Sequence, residues 1–118
     1  MKIDRTLYLQ SEVKMILTTL DYIPGKEIIE HYGLVNGSTV RSKHFGRDIF
    51  AGLKNIVGGE LKGYTELMEE TRDEATERLV KMAQAKGANA VVNIRFGTSD
   101  VAPGAAEVFA YGTAVKVG

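Results

Sequence analysis

The 118-residue chain has no cysteine, only two prolines and two histidines, and no excess of charge, its fifteen basic residues balancing fifteen acidic ones. Without cysteine there is neither a disulfide framework nor a thiolate metal site. A net charge of zero leaves no global field to hold a phosphate backbone, so no nucleic acid is expected as a partner. No apolar run is long enough to span a bilayer and no stretch reads as a secretory signal. The expectation is therefore a cytoplasmic protein with no membrane partner. At this length one domain is expected, burying about two-thirds of the surface that its unfolded form exposes.

Near its start the chain reads Leu7-Tyr8-Leu9-Gln10-Ser11, which resembles the L-Y-F-Q-S left behind by cleavable expression tags. Residues 1–14 are accordingly read as an N-terminal extension or a tag-derived segment, and residues 15–118 as a single domain. Met15 to Leu20 is a short β-type run, an edge strand, ended by the turn chemistry of Pro24-Gly25. Lys26 to Val40 is rich in β-branched residues, with Asn36-Gly37 in its middle. By local rules that dipeptide is a hairpin turn, and the rival is one long strand bent by a bulge.

Ser42 can cap a first helix from about Lys43, with Phe45, Ile49, Leu53 and Ile56 on its apolar face and Gly58-Gly59 stopping it. A second helix is predicted from about Tyr64 to Lys86, carrying Leu67, Met68, Thr71, Ala75, Leu79, Met82 and Ala83 at helical spacing and ending at Gly87. Its charges are sorted: Glu66, Glu69, Glu70, Asp73 and Glu74 come early, and Arg78, Lys81 and Lys86 come late. That order suits the macrodipole, and Glu74–Arg78 and Glu77–Lys81 make i,i+4 pairs. The acidic run is thus a solvated helix face.

Ala90, Val92, Ile94 and Phe96 alternate with Val91, Asn93 and Arg95, which predicts a half-buried strand with one apolar face. Gly97 to Ala105 has loop composition, and Glu107 to Val117 forms a last strand. One face of that strand carries Val108, Ala110, Gly112, Ala114 and Lys116, mostly small side chains over which another chain or a helix could lie closely. The predicted class is α+β, a small antiparallel sheet with two helices on one side.

Chemistry is harder to find. Asn55 to Tyr64 reads NIVGGELKGY, but a Walker loop needs a lysine and a hydroxyl directly after its last glycine, and this stretch joins helix to helix. Gly58 and Gly59 are read as structural glycines of a turn. A minor reading places a small anion at the start of the second helix, on Lys62, Gly63 and Tyr64, with Arg47 or Lys54 reaching in from the first helix or from a neighbouring subunit. Glu27 to His31 is reminiscent of a zinc-protease pattern, but Glu stands at the first ligand position in a β-branched segment. His31, His44, Glu27 and Glu30 are the metal candidates, and within one subunit they close no tetrahedral site. Ser38, Ser42 and Ser99 lie in no nucleophile-elbow setting. No catalytic residue, enzymatic activity or cofactor is expected.

Arg47-Asp48-Ile49-Phe50-Ala51-Gly52-Leu53, Ile56-Val57-Gly58-Gly59, Gly63-Tyr64, Lys86-Gly87-Ala88-Asn89-Ala90-Val91-Val92 and Gly112-Thr113-Ala114-Val115-Lys116 together resemble the YbjQ-like proteins. The resemblance runs from Met15 to Val117. It implies a small α+β subunit related in architecture to dodecin, assembled as a pentameric ring or a pair of such rings, and it favours one long bulged strand over the Asn36-Gly37 hairpin. It carries a heavy-metal-binding label and no catalytic residues. Two expectations follow: a non-catalytic homo-oligomeric scaffold or small-ligand-binding protein whose partner is itself, or a metal-ion-binding or metal-stress protein.

Overall fold

The structure is a computed structural model that describes residues 7–10, 13–41, 62–103 and 105–118. In chain order the elements are β1 (Leu7–Gln10), β2 (Val13–Leu17), β3 (Ile28–Arg41), α1 (Lys62–Ala85), β4 (Ala90–Ala102) and β5 (Ala105–Val117). One five-stranded sheet has the order β1-β2-β4-β5-β3. The first helix predicted from Lys43 lies outside the described residues, so one helix is described. The sheet is mixed rather than antiparallel. β2 runs parallel to β4 through Ile16–Ala90 and Leu17–Val91, while β1–β2, β4–β5 and β3–β5 are antiparallel.

β2 begins at Val13 and stops at Leu17, earlier than its apolar run suggests. It is not an edge, because β1 pairs along its outer side. The stretch to Lys26 folds back across the sheet and closes with a turn in which the Lys26 amide donates to the Ile23 carbonyl at 3.1 Å, with Gly25 at φ 80°. Proline at the second and glycine at the third position is what such a turn requires.

β3 is a single strand through Asn36-Gly37. Its register shifts instead fall between Ile28 and Glu30 and between His31 and Gly33, and Gly33 takes φ 91°. Gly37 has a different task. A Cβ there would overlap the Ala75 carbonyl and the Leu79 amide of α1, so its hydrogen is what lets the helix backbone descend onto the strand.

α1 ends in a Schellman cap. The Gly87 amide donates to the Gln84 carbonyl at 2.9 Å and the Ala88 amide to the Ala83 carbonyl at 3.1 Å, with Gly87 at φ 86°. The predicted ion pairs are present, Arg78–Glu74 at 2.8 Å and Lys81–Glu77 at 3.8 Å. The helix starts at Lys62, however, and its first turn holds no acidic residue. A dipole effect confined to the terminal turns therefore does not account for the sorted charges.

The alternation expected in β4 is broken. Asn93 has φ 55°, and the register with β5 jumps from Val92–Thr113 to Arg95–Tyr111. This bulge switches which face the side chains meet. Val91 and Ile94 join the core under α1, while Ala90 and Val92 join a second cluster with Ile23, Val115 and Val117. Both faces are thus buried at the base of β4, in place of one apolar face. The Asn93 amide donates to the Leu20 carbonyl at 2.8 Å and the Ile94 amide to the Thr18 carbonyl at 3.1 Å, so the bulge anchors the folded-back segment. Arg95 completes the anchor by donating to the Thr19 carbonyl at 2.9 Å.

Gly97 to Ala102, expected as loop, continues β4, and β5 already begins at Ala105. Ladder pairing with β5, reinforced by Ser99 Oγ donating to Glu107 Oε1 at 3.1 Å, outweighs the local turn chemistry of Thr98-Ser99-Asp100. At the other end of the sheet, Asn89 acts as an extra strand residue. Its Nδ2 donates to the Val117 carbonyl at 2.9 Å and its Oδ1 accepts from the Val117 amide at 2.8 Å.

Candidate interaction surface

The sequence-derived site residues fall in three places. Arg47, Lys54, Gly58, Gly59 and His44 lie outside the described residues. Lys62, Gly63 and Tyr64 form the opening turn of α1. Glu27, Glu30 and His31 sit exposed at the start of β3. Among the described residues, no three His, Cys, Asp or Glu gather as a metal site would need. Glu30 instead accepts a hydrogen bond from Tyr32. That bond, with burial and the carboxylate charge behind it, raises the Tyr32 phenol above the usual tyrosine value of 10.0.

The small-residue face of β5 is not free for another chain. Ala110 and Ala114 are fully buried in the core that α1 covers. A Cβ on Gly112 would stand 2.9 Å from both Val91 Cγ1 and the Val92 carbonyl oxygen, so the bulge of β4 fills that position too. Of the two occupants expected for this face, another chain or a helix, the chain's own helix is the one found, with the neighbouring strand beside it, so the face is not a subunit contact.

Among the described residues, the uncovered surface lies elsewhere. β3 is the terminal strand of the sheet, fourteen residues long. Leu34 is 70% and Val40 52% exposed. Both belong to the sheet face turned away from α1, together with their β5 partners Thr113 and Glu107 and the intervening Tyr111 and Phe109. The Phe109 and Tyr111 rings stand 5.9 Å apart, and the Phe109 ring covers Gly97. Between Leu34 and Val40 the register with β5 is regular, and the segment contains neither proline nor lysine. Those are the devices that usually blunt an edge. One group guards it: the Arg78 guanidinium of α1 donates to the Ser38 carbonyl.

Residues 15–118 match the family model described as "Putative heavy-metal-binding", YbjQ_1. The chain belongs to that family. Its relatives include proteins named UPF0145. One from Hahella chejuensis is 66% identical over 86% of this chain and 97% of its own length. Another, from Vibrio parahaemolyticus, is 59% identical over 87% and 98%. A third, from the archaeon Halorubrum lacusprofundi, is 53% identical over 87% and 99%. Among solved structures, a protein of unknown function of the DUF74 family from Pediococcus pentosaceus superposes with a TM-score of 0.53 at 18% identity, covering 88% of this chain and 98% of that one. That likeness concerns the fold, a small α+β domain with a mixed sheet. Among the described residues, no helix of this family member is long and apolar enough to cross a membrane.

Local rules leave hairpin and long strand both open at Asn36-Gly37, and the long strand that the family resemblance favours is the one observed; that this strand ends the sheet follows from strand order, which no local rule gives. The legible signal was the β-branched content on both sides of that dipeptide.

Proposed function

We propose that the protein is a non-catalytic homo-oligomeric scaffold or small-ligand-binding protein, with the dodecin-like pentameric ring, or the pair of such rings, that the family resemblance implies as its form of assembly. The observation that carries this reading is the β3 edge. Among the described residues it is the last strand of the sheet, with Arg78 on its Ser38 carbonyl and with Leu34 and Val40 exposed beside it, an arrangement that a soluble chain ordinarily covers. Multi-angle light scattering of the purified full chain tests it. A mass several times that of one chain is expected, and a folded monomer at micromolar concentration overturns it.

A metal-binding reading rests on the family description. Its best local support is Glu27, just before β3, with Glu30 and His31 in the strand's first residues, of which several copies would converge if they lie near a ring axis. Calorimetric titration of the metal-free protein with Zn²⁺, Cu²⁺ and Ni²⁺ separates the two readings. Binding that is weak and without fixed stoichiometry supports the scaffold, and a tight integral site per ring supports the metal protein.

A further inference from the structure

Two features of the described residues point beyond the fold of one chain. The first is the regular β3 edge. In an antiparallel ladder a residue directs its amide and carbonyl to the same side. With the Ser38 carbonyl taken by Arg78, the outward positions are Leu34, Asn36, Ser38 and Val40. The second is the order of charge along α1, which the macrodipole leaves unexplained and of which the chain itself uses the pairs Arg78–Glu74 and Lys81–Glu77. Glu70, Glu74, Arg78 and Lys81 follow one another at four-, four- and three-residue spacing, which puts them on one flank. Arg78 reaches Ser38 from that flank, so the flank overhangs the edge.

We propose that the β3 edge from Leu34 to Val40 pairs antiparallel with the same strand of a second copy of this chain, about a two-fold axis at Gly37. This inference rests on the homo-oligomer reading and specifies the contact that joins two rings, because a ring closes head to tail and a two-fold contact pairs one ring with another. An axis at Gly37 sets Leu34 opposite Val40 of the other copy and Asn36 opposite Ser38. The outward positions then exchange backbone hydrogen bonds, and the exposed apolar side chains meet on the face away from α1.

The same axis fixes how the helices meet. Gly37 lies against Ala75, Arg78 and Leu79, so a rotation about Gly37 brings two α1 helices side by side and antiparallel, crossing near those residues. Glu74 then faces Arg78 of the other copy, and Glu70 lies near Lys81. The acidic first half meets the basic second half at both ends of the seam. Two independent features, the strand register and the charge order, converge on one axis. Arg78 leaves the Ser38 carbonyl, which the incoming Asn36 amide takes over, and its guanidinium, paired with Glu74 of its own chain at 2.8 Å, is shared with the second copy's carboxylate.

The test uses the full chain and three variants, Asn36→Pro, Arg78→Glu and Glu74→Arg. Proline at an outward position removes no β3–β5 hydrogen bond but blocks the incoming strand. Either charge reversal places like charges across the seam. Each single variant is expected to halve the assembled mass in light scattering while keeping the parent's circular dichroism. An equimolar mixture of Arg78→Glu with Glu74→Arg is expected to restore it, because the two proteins complement each other only between chains. If the proline variant fails to fold, the charge variants, on an exposed helix face, still decide the matter. A monomeric parent overturns the oligomer reading and this inference together. An oligomeric parent whose mass none of the variants lowers overturns only the inference. So does loss of assembly in Asn36→Pro without loss in the charge variants, which would point to β3 pairing with a different strand.

Discussion

Gly37 on β3 and Ala75 on α1 meet backbone to backbone, with no room for a methyl group between them. This contact sets the height of the helix above the sheet and lets Ala75, Leu79 and Ala83 bury completely beside Val35 and Ala110. Gly97 is crowded in another way. A Cβ there would stand 2.5 Å from the tip of the Phe109 ring, and that ring is only half-buried and free to swing outward.

The two glycines should therefore respond differently to the same methyl group. Gly37→Ala is expected to cost about 3 kcal/mol, the upper end of overpacking penalties, because two backbones must separate. Gly97→Ala should cost about 1 kcal/mol, since one side chain can yield. Urea unfolding of both variants measures the difference, and equal losses would show that the helix is not seated on Gly37.

The elements carried by strong periodicity were legible. Tyr64 to Lys86 was predicted and Lys62–Ala85 is observed, with Gly87 as its cap. What was not legible depended on partners distant in sequence. Asn36-Gly37 satisfies every local rule for a hairpin, yet twelve paired positions with β5 hold it straight. Asn93 breaks the phase of β4 because its amide and that of Ile94 are needed by the carbonyls of Leu20 and Thr18, and no window around Asn93 contains that requirement. Among the candidate site residues, the exposure of Glu27, Glu30 and His31 was foreseeable from their polarity. The free edge was not, since strand order is a property of the whole sheet.

Asn93 sits in the left-handed region at φ 55°, where asparagine is tolerated and a β-branched residue is strained. Asn93→Val is expected to destabilise the protein by about 1–2 kcal/mol, and Asn93→Gly to be nearly neutral. Because the bulge anchors the folded-back segment, amide exchange in Asn93→Val should quicken first at Ile94 and at Lys26, whose turn lies within that segment. Thermal melts with hydrogen exchange test both parts.

Thr39 is buried beneath α1 with 1% exposure, and its Oγ1 has no hydrogen-bond partner. A buried hydroxyl without a partner carries its desolvation cost uncompensated. Thr39→Val removes the hydroxyl and keeps the branched shape that the strand favours. It is expected to stabilise the fold by about 1 kcal/mol, raising the melting temperature by about 4 °C in a domain of this size. A lower melting temperature would show that the hydroxyl has a partner in solution.

Tyr32 and Glu30 provide a titration that reads out the start of β3. The hydrogen bond to Glu30, then burial, then the carboxylate charge hold the Tyr32 phenol above its usual value of 10.0. Above pH 10 the unfolded chain therefore gives up a proton that the folded chain retains. The unfolded state binds fewer protons, so stability falls as the pH rises through that range. The contribution is present in full below the ordinary tyrosine value and is lost as the folded phenol ionises. Glu30→Gln removes the negative charge and weakens the hydrogen bond, so Tyr32 should titrate closer to the ordinary value and the alkaline loss of stability should become shallower. The Tyr32 component is isolated by subtracting the phenolate absorbance of Tyr32→Phe from that of the parent. An unchanged Tyr32 titration in Glu30→Gln would show that the carboxylate does not engage the phenol.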